Sequence, residues 1–326
     1  MRNVLSVLSA PWAIDPSKLL EIQAICKARL DGGKIDIEAV EKQLGRKLEN
    51  QPVSYTVQNG VAVLPIDGVI AKRMNLFSQI SGGTSTQLAE QTLQDAINDS
   101  AVHSIILLID SPGGTVDGTQ LLANAVFKAR TSGKAIVTLA DGCMCSAAYW
   151  IGSAAQAVYI VDSTTLVGSI GVVTSHTDVS GAQTAQGIKT TEISAGKYKR
   201  IASNYAPLSA DGKQSIQDSL DYTYSLFVDA VAKNRNVSGA AVLRDMADGR
   251  VFIGKQAIDA GLVDGIESLP SLVSRLVANR KTGASLKPVL RIPKTRAEID
   301  QAAKAFMKLN PGTDYVAAYK QVTQEA

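Results

Sequence analysis

The sequence predicts an α/β fold built on a parallel sheet, and three observations carry that prediction. His103-Ser-Ile-Ile-Leu-Leu-Ile-Asp110 is a nearly continuous apolar run, the pattern of a parallel strand covered on both faces. Ala135 to Ala140 is a second buried-looking strand. Around them the order is strand, glycine loop, helix, strand, turn, helix, strand. That is a repeated β-α-β unit, whose crossovers are right-handed and whose active sites collect at the carboxyl ends of the strands.

Taken in order, residues 15 to 50 read as two helical pieces, Pro16 to Leu30 and Asp36 to Leu48, split by Asp31-Gly32-Gly33. Leu19, Leu20, Ile22, Ala24 and Ile25 form an apolar stripe, so the expectation for 1–54 is a helical arm packed on the body or on a partner. Val61 to Ile70 reads as a strand broken by a turn, followed by a Gly/Ser loop to Thr84 and a helix from Ser85 to Asn98. The His103–Asp110 strand ends in Ser111-Pro-Gly-Gly114, and a helix spans Asp117 to Arg130. After the Ala135–Ala140 strand come a helix at Ala147–Ala155, a strand at Ala157–Val161 and Gly168-Ser169-Ile-Gly-Val-Val173. Thr190 to Ser194 reads as a strand ending at Ala195-Gly-Lys-Tyr-Lys-Arg200. A long amphipathic helix runs from Ser209 to Asn234, and Ser238 caps the next one. Gly254 to Gly261 is a helix stopped by glycine, with a short strand after it. The body closes near Val277. Arg275 to Arg296 carries seven basic residues, no acidic ones and two prolines, which reads as an exposed linker into a helical tail. The expected division is an arm at 1–54, a body at 55–280 and a tail at 281–326.

Composition narrows the function classes. With 326 residues, 45% of them hydrophobic, the chain can bury a full core, and a net charge of +3 implies no polyanionic partner for the whole molecule. Cys26, Cys143 and Cys145 give neither a disulfide framework nor a four-ligand metal set, which fits a reducing compartment. The apolar part of the first twelve residues is shorter than the roughly 7 to 15 residues of a secretory core. Residues 142 to 161 carry no charge, but Gly142, Ser146, Gly152, Ser153 and Gln156 make them a poor lipid-facing helix and a good soluble core.

The chemistry points to Ser146, a lone serine between a buried strand and a run of small helix formers, where a hydroxyl is held at a strand-to-helix turn. It is a candidate nucleophile that needs a base, and the chain has only two histidines. The glycines of Ser111-Pro-Gly-Gly114 let backbone N–H groups approach a ligand closely, so Gly114 and Ala147, the residue after the serine, can together hold an oxyanion. As a bare motif, that loop reads first as a tight turn; it is the serine at the end of the next strand that gives it an oxyanion role. Two bases stay open at this level. One is Lys199, whose pKa must fall by roughly three units before it takes a proton at neutral pH. The other is His176, with Asp178 as its partner. Cys145 reads as a small apolar filler behind the turn and His103 as structural.

Five pieces in order carry a resemblance: Leu-Leu-Ile-Asp-Ser-Pro-Gly-Gly, Cys-Ser-Ala-Ala-Tyr-Trp-Ile-Gly-Ser-Ala-Ala, Val-Gly-Ser-Ile-Gly-Val, Ser-Ala-Gly-Lys-Tyr-Lys, and Gly-Arg-Val-Phe-Ile-Gly-Lys-Gln-Ala-Ile-Asp-Ala-Gly-Leu-Val-Asp. Over Val61 to Ile266 the chain resembles the signal peptide peptidase (protease IV) family of serine peptidases. With its N-terminal Ala-Pro-Trp-Ala-Ile it looks most like the branch that serves tailed bacteriophages as capsid maturation proteases. The resemblance implies a Clp protease/crotonase-like β-α-β superhelix and ring-like homo-oligomers. It implies Ser146 as nucleophile, Lys199 rather than Lys197 as general base, Ser169 as the hydroxyl that orients the lysine, and Gly114 with Ala147 as oxyanion donors. No cofactor and no metal are implied.

The partners it implies are peptides and proteins, namely phage scaffold, portal or capsid proteins and the chain itself, within a prohead in the bacterial cytoplasm. Nucleic acid and membrane are not among them. The alternatives carried with it are a soluble bacterial peptidase that degrades peptides, and a capsid assembly factor that keeps the fold without catalysis. The chain departs from membrane-bound relatives in having no anchor, and from many members in reading Cys-Ser-Ala-Ala where Ser-Gly-Gly is usual.

Overall fold

The structure is a computed structural model that describes residues 11–14, 55–73 and 83–282, together with helical positions 304 and 307. In chain order the elements begin with β1 (Trp12–Ile14), β2 (Thr56–Gln58), β3 (Val61–Asp67), β4 (Val69–Ala71), β5 (Gly83–Ser85) and α1 (Thr86–Asn98). There follow β6 (Ser104–Ser111), β7 (Gly113–Thr115), α2 (Thr119–Ala129), β8 (Ala135–Cys145), α3 (Ala147–Gly152), β9 (Ala157–Ile160) and β10 (Leu166–Gly168). The chain then continues through α4 (Ser180–Ala185), α5 (Ala210–Arg235), α6 (Gly239–Asp245), β11 (Val251–Ile253), α7 (Lys255–Asp259), β12 (Gly265–Ile266) and α8 (Leu269–Thr282).

The α/β expectation holds. The larger sheet runs β11-β10-β8-β6-β3-β2, with β9 beside β8 and β12 beside β9, and its centre is parallel. Period-2 alternation sorts the central strands onto two cores. Ile105, Leu107 and Ile109 face a core built with α1, α2, α3 and α5, whereas Ile106, Val137 and Leu139 face Leu272, Val273 and Leu276 of α8. Both faces are covered, which is why the strands read as unbroken apolar runs.

Strand β8 is the pivot. Its first half pairs with β6 and β9, and its second half, Cys143–Cys145, pairs with β10. The change comes at Asp141-Gly142, where Gly142 has φ of 102° and the pairing with β6 shifts register. An Asp110 carboxylate oxygen, 3.0 Å from the Cys143 N–H, accepts its hydrogen bond and holds the re-aimed half. A smaller sheet, β1-β7-β4-β5, lies at the carboxyl end of β6 and is reached through the Pro-Gly-Gly turn.

Several expectations need correction. The arm is not wholly helical, because Trp12–Ile14 is a strand; the helices expected within 15–50 lie outside the described residues, as does the tail beyond 282 apart from the helical positions 304 and 307. Thr190 to Ser194 is not a strand: the segment is solvated and pairs with no strand among the described residues, and β-branched residues favour a strand only where a pleated surface is there to pack on. The helix after Ser146 stops at Gly152, and Arg130 donates to the carbonyls of Ala154 and Ala155 at 2.7 and 2.5 Å. Arg275 is not in a linker. It lies on α8 and pairs with Glu267, with its guanidinium over the Tyr159 ring.

Candidate active site

Three loops meet at the carboxyl ends of parallel strands. β6 delivers Ser111-Pro-Gly-Gly114, β8 delivers Ser146 and β10 delivers Ser169. Because Cys145 and Gly168 are register partners, Ser146 and Ser169 leave neighbouring strands at the same level. The Ser146 N–H donates to the Gly168 carbonyl at 2.7 Å, and the Ser169 N–H donates to the Arg250 carbonyl at 2.8 Å.

Both serines have left-handed backbones, Ser146 at φ 56° and ψ −117° and Ser169 at φ 53°. Among the described residues the other non-glycine positions of this kind are two asparagines, Asn59 and Asn236, a residue type that visits this region readily. A serine held there costs of order 1–3 kcal/mol, and such strain persists where the surroundings over-determine the conformation. Ser146 is 1% exposed and its Oγ has no hydrogen-bond partner among the described residues. Ala147 opens α3, so its N–H has no acceptor within the helix. Burial of α3 is complete, and Trp150 stacks on Phe227 of α5 at 4.5 Å, which anchors the turn from below. Three residues on, burial pushes the Tyr149 phenol well above its ordinary value, and its hydroxyl donates to the Leu262 carbonyl at 2.9 Å, which leaves it no role as a base.

The glycine pair is needed for packing. A Cβ on Gly114 would sit 1.8 Å from the Ile70 carbonyl oxygen. On Gly113, whose φ is 105°, it would sit 2.4 Å from the Ala13 oxygen and 3.0 Å from Ser146 Cβ. Ser111 fixes this turn, donating through Oγ to the Gly68 carbonyl at 2.6 Å and accepting from the Gly113 N–H at 3.2 Å. The sequence motif includes Ser111 without assigning it a task; its place at the end of the apolar run, directly before Pro-Gly-Gly, was the available signal, and the structure shows it buried. Arg250 and Gly254 were likewise quoted without a role. The strand β11 beside them holds the Ser169 loop, and a Cβ on Gly254 would lie 2.2 Å from the Ser163 carbonyl oxygen.

Lys199 is placed differently. It lies on an exposed excursion from Thr174 to Tyr205, in a turn where its N–H donates to the Gly196 carbonyl at 3.1 Å. Ile193 there is 95% exposed and Tyr198 60%. His176 ties the two limbs together, its Nε2 2.9 Å from the Ser203 carbonyl oxygen, and Asp178 accepts from the Ser180 N–H at 2.8 Å. His103 is structural as expected, its ring nitrogens 2.9 Å from Ser104 Oγ and 3.1 Å from the Asn59 carbonyl oxygen. Among the described residues no helix is long and apolar enough to cross a membrane.

Residues 128–282 match the family described as "Peptidase family S49". That span includes Ser146, Ser169 and Lys199, while Gly114 precedes it. The chain is similar to "Capsid assembly protease C" of Escherichia phage lambda, with 31% identity over 78% of this chain and 60% of that protein. It is equally similar to "Head-tail preconnector protein GP5" of Enterobacteria phage P21, 31% identical over 78% of this chain and 50% of that one. "Protease 4" of Haemophilus influenzae is 28% identical over 74% of this chain and 37% of its own length. The chain therefore spans between about a third and three fifths of these relatives.

Proposed function

Taking residues 128–282 as a peptidase family S49 segment, we propose that the protein is a serine endopeptidase in which Ser146 is the nucleophile and Lys199 the general base. The observation that carries this reading is Ser146 itself: a serine in a left-handed turn, buried, with no partner for its Oγ among the described residues, between a Gly-Gly loop and the first N–H of a helix. A buried hydroxyl without a partner costs about 1–3 kcal/mol, which is tolerated where an incoming group will complete it.

Lys199 Nζ takes the proton from Ser146 Oγ as it attacks the peptide carbonyl. The N–H groups of Gly114 and Ala147 hold the resulting oxyanion, each worth about 2.7–4 kcal/mol. Lys199 then returns the proton to the leaving amine, and water releases the acyl group from Ser146 by the reverse route. Ser169, emerging level with Ser146, accepts from Lys199 and orients it. A base must come within about 2.6–3.2 Å of the proton it takes. Because Lys199 rides on a solvated excursion with exposed apolar tips, the pairing is made between protomers of a homo-oligomer, which also covers Ile193 and Tyr198.

The substrates are phage scaffold, portal or capsid proteins and the chain itself during prohead maturation, a reading supported by what the two phage relatives are named for. The peptidase unit is 55–280, with 1–54 as an arm and 281–326 as a docking tail. The test is hydrolysis of an unfolded protein such as casein. Ser146→Ala and Lys199→Ala should each lose at least about 10³-fold in kcat, with folding intact by circular dichroism. A Lys199→Ala protein as fast as wild type would sink the dyad, and loss with His176→Ala alone would point to a serine-histidine pair. Co-expression with the scaffold gene should yield shortened scaffold only with Ser146 present.

A further inference from the structure

We infer that β1 is a latch, a pseudo-substrate strand of this chain that occupies the peptide groove and keeps Ser146 out of reach until it is withdrawn; the inference rests on the peptidase reading above. Trp12 exchanges both of its backbone hydrogen bonds with Val173, N to O at 2.9 Å in each direction. Successive residues of an extended strand turn their N–H and C=O groups to opposite sides, so Pro11 and Ala13 face β7. The Val116 N–H indeed donates to the Pro11 carbonyl at 3.4 Å, and Ala13 is the register partner of Gly114. The Ala13 carbonyl is thereby presented to the Gly114 N–H, the proposed oxyanion donor. Its oxygen and Ser146 Cβ lie against the same point beside Gly113, at 2.4 and 3.0 Å.

β1 thus lies between the strand that leaves the oxyanion loop and the segment that follows Ser169. These are the two edges along which an extended peptide would add itself by main-chain hydrogen bonds to reach Ser146. Burial follows from this seat: Trp12, Ala13 and Ile14 are 3%, 0% and 2% exposed, and Ser146 beside them is 1% exposed. A nucleophile must come within about 3–3.5 Å of the carbonyl it attacks, which an outside peptide cannot meet while Ala13 is in place.

The test reads access to Ser146 in the full chain with a fluorophosphonate, which forms an Oγ–P bond and expels fluoride. Facing residues of a hydrogen-bonded antiparallel pair have Cα atoms about 5.5 Å apart, within disulfide reach, so Trp12→Cys combined with Val173→Cys can lock the strand. Oxidised protein, its cross-link verified by mass spectrometry, should label at least about tenfold more slowly than the same protein reduced, as the competent fraction falls. A second variant, Trp12→Ala with Ile14→Ala, weakens the seat without touching the catalytic groups. It should label at least about tenfold faster than wild type and lose hydrogen-exchange protection at the Gly114 and Val173 amides. Equal labelling of the locked and reduced forms overturns the latch and leaves Ser146 as nucleophile. No labelling of Ser146 in any form overturns the peptidase reading, and the latch with it.

Discussion

Ser146 is fixed from both sides, by its own N–H on the Gly168 carbonyl and by a fully buried helix that begins at the next residue, whereas Lys199 sits on a limb held mainly by contacts within that limb. Around the serine the sheet determines φ and ψ closely enough to impose a left-handed turn. Around the lysine, His176 to Ser203 and Arg200 to Glu192 tie the excursion to itself, and its apolar residues point into water. The difference teaches that the two proposed partners are held in different ways, the serine by the sheet and its buried helix, the lysine by contacts within its own excursion.

The sharpest way to break this comparison is to mix two inactive proteins. If serine and lysine come from neighbouring protomers, co-assembled Ser146→Ala and Lys199→Ala chains should regain roughly a quarter of wild-type casein hydrolysis, since a quarter of the sites then draw both groups from intact residues. No recovery in a verified mixed oligomer would place the dyad within one chain. Next in size is Gly114→Ala, which forces a methyl against the Ile70 carbonyl 1.8 Å away. Overpacking of this kind costs about 1–3 kcal/mol or more, read as a lowered urea midpoint, and the displaced oxyanion loop should lower kcat about 10²-fold. An equivalent alanine at Gly196, whose ideal Cβ meets nothing within 4 Å, bears only the penalty of its φ of 96°, a cost of about 1 kcal/mol. Ser111→Ala falls between these two glycine variants. It orphans the Gly68 carbonyl and the Gly113 N–H, destabilising by about 1–3 kcal/mol, with kcat falling more than KM rises.

Much of the serine's surroundings is legible in the sequence. The apolar runs at His103–Asp110 and Ala135–Ala140 specify buried parallel strands because both of their faces are covered. Ser85, Ser209 and Ser238 cap their helices as their positions suggest, each accepting from an N–H three residues on. The Thr190–Ser194 strand was misread for the reason that makes the lysine's surroundings hard to read: its residues suit a sheet, and whether a partner edge exists is not a local property.

What the sequence determined alone is the local chemistry, namely the strand-to-helix turn at Ser146 and the Gly-Gly loop before it, whereas Ser169 entered only through the family resemblance. Side-chain periodicity and glycine conformational freedom are properties of short stretches, so they survive without the fold. Tertiary structure decided the rest. Only register shows that Ser146 and Ser169 emerge level, that β11 clamps the Ser169 loop through Arg250, and that Trp12–Ile14, far off in sequence, lies as a strand against Gly113–Thr115. Those pairings are hydrogen bonds between distant backbones, which carry no side-chain signature to be read in advance.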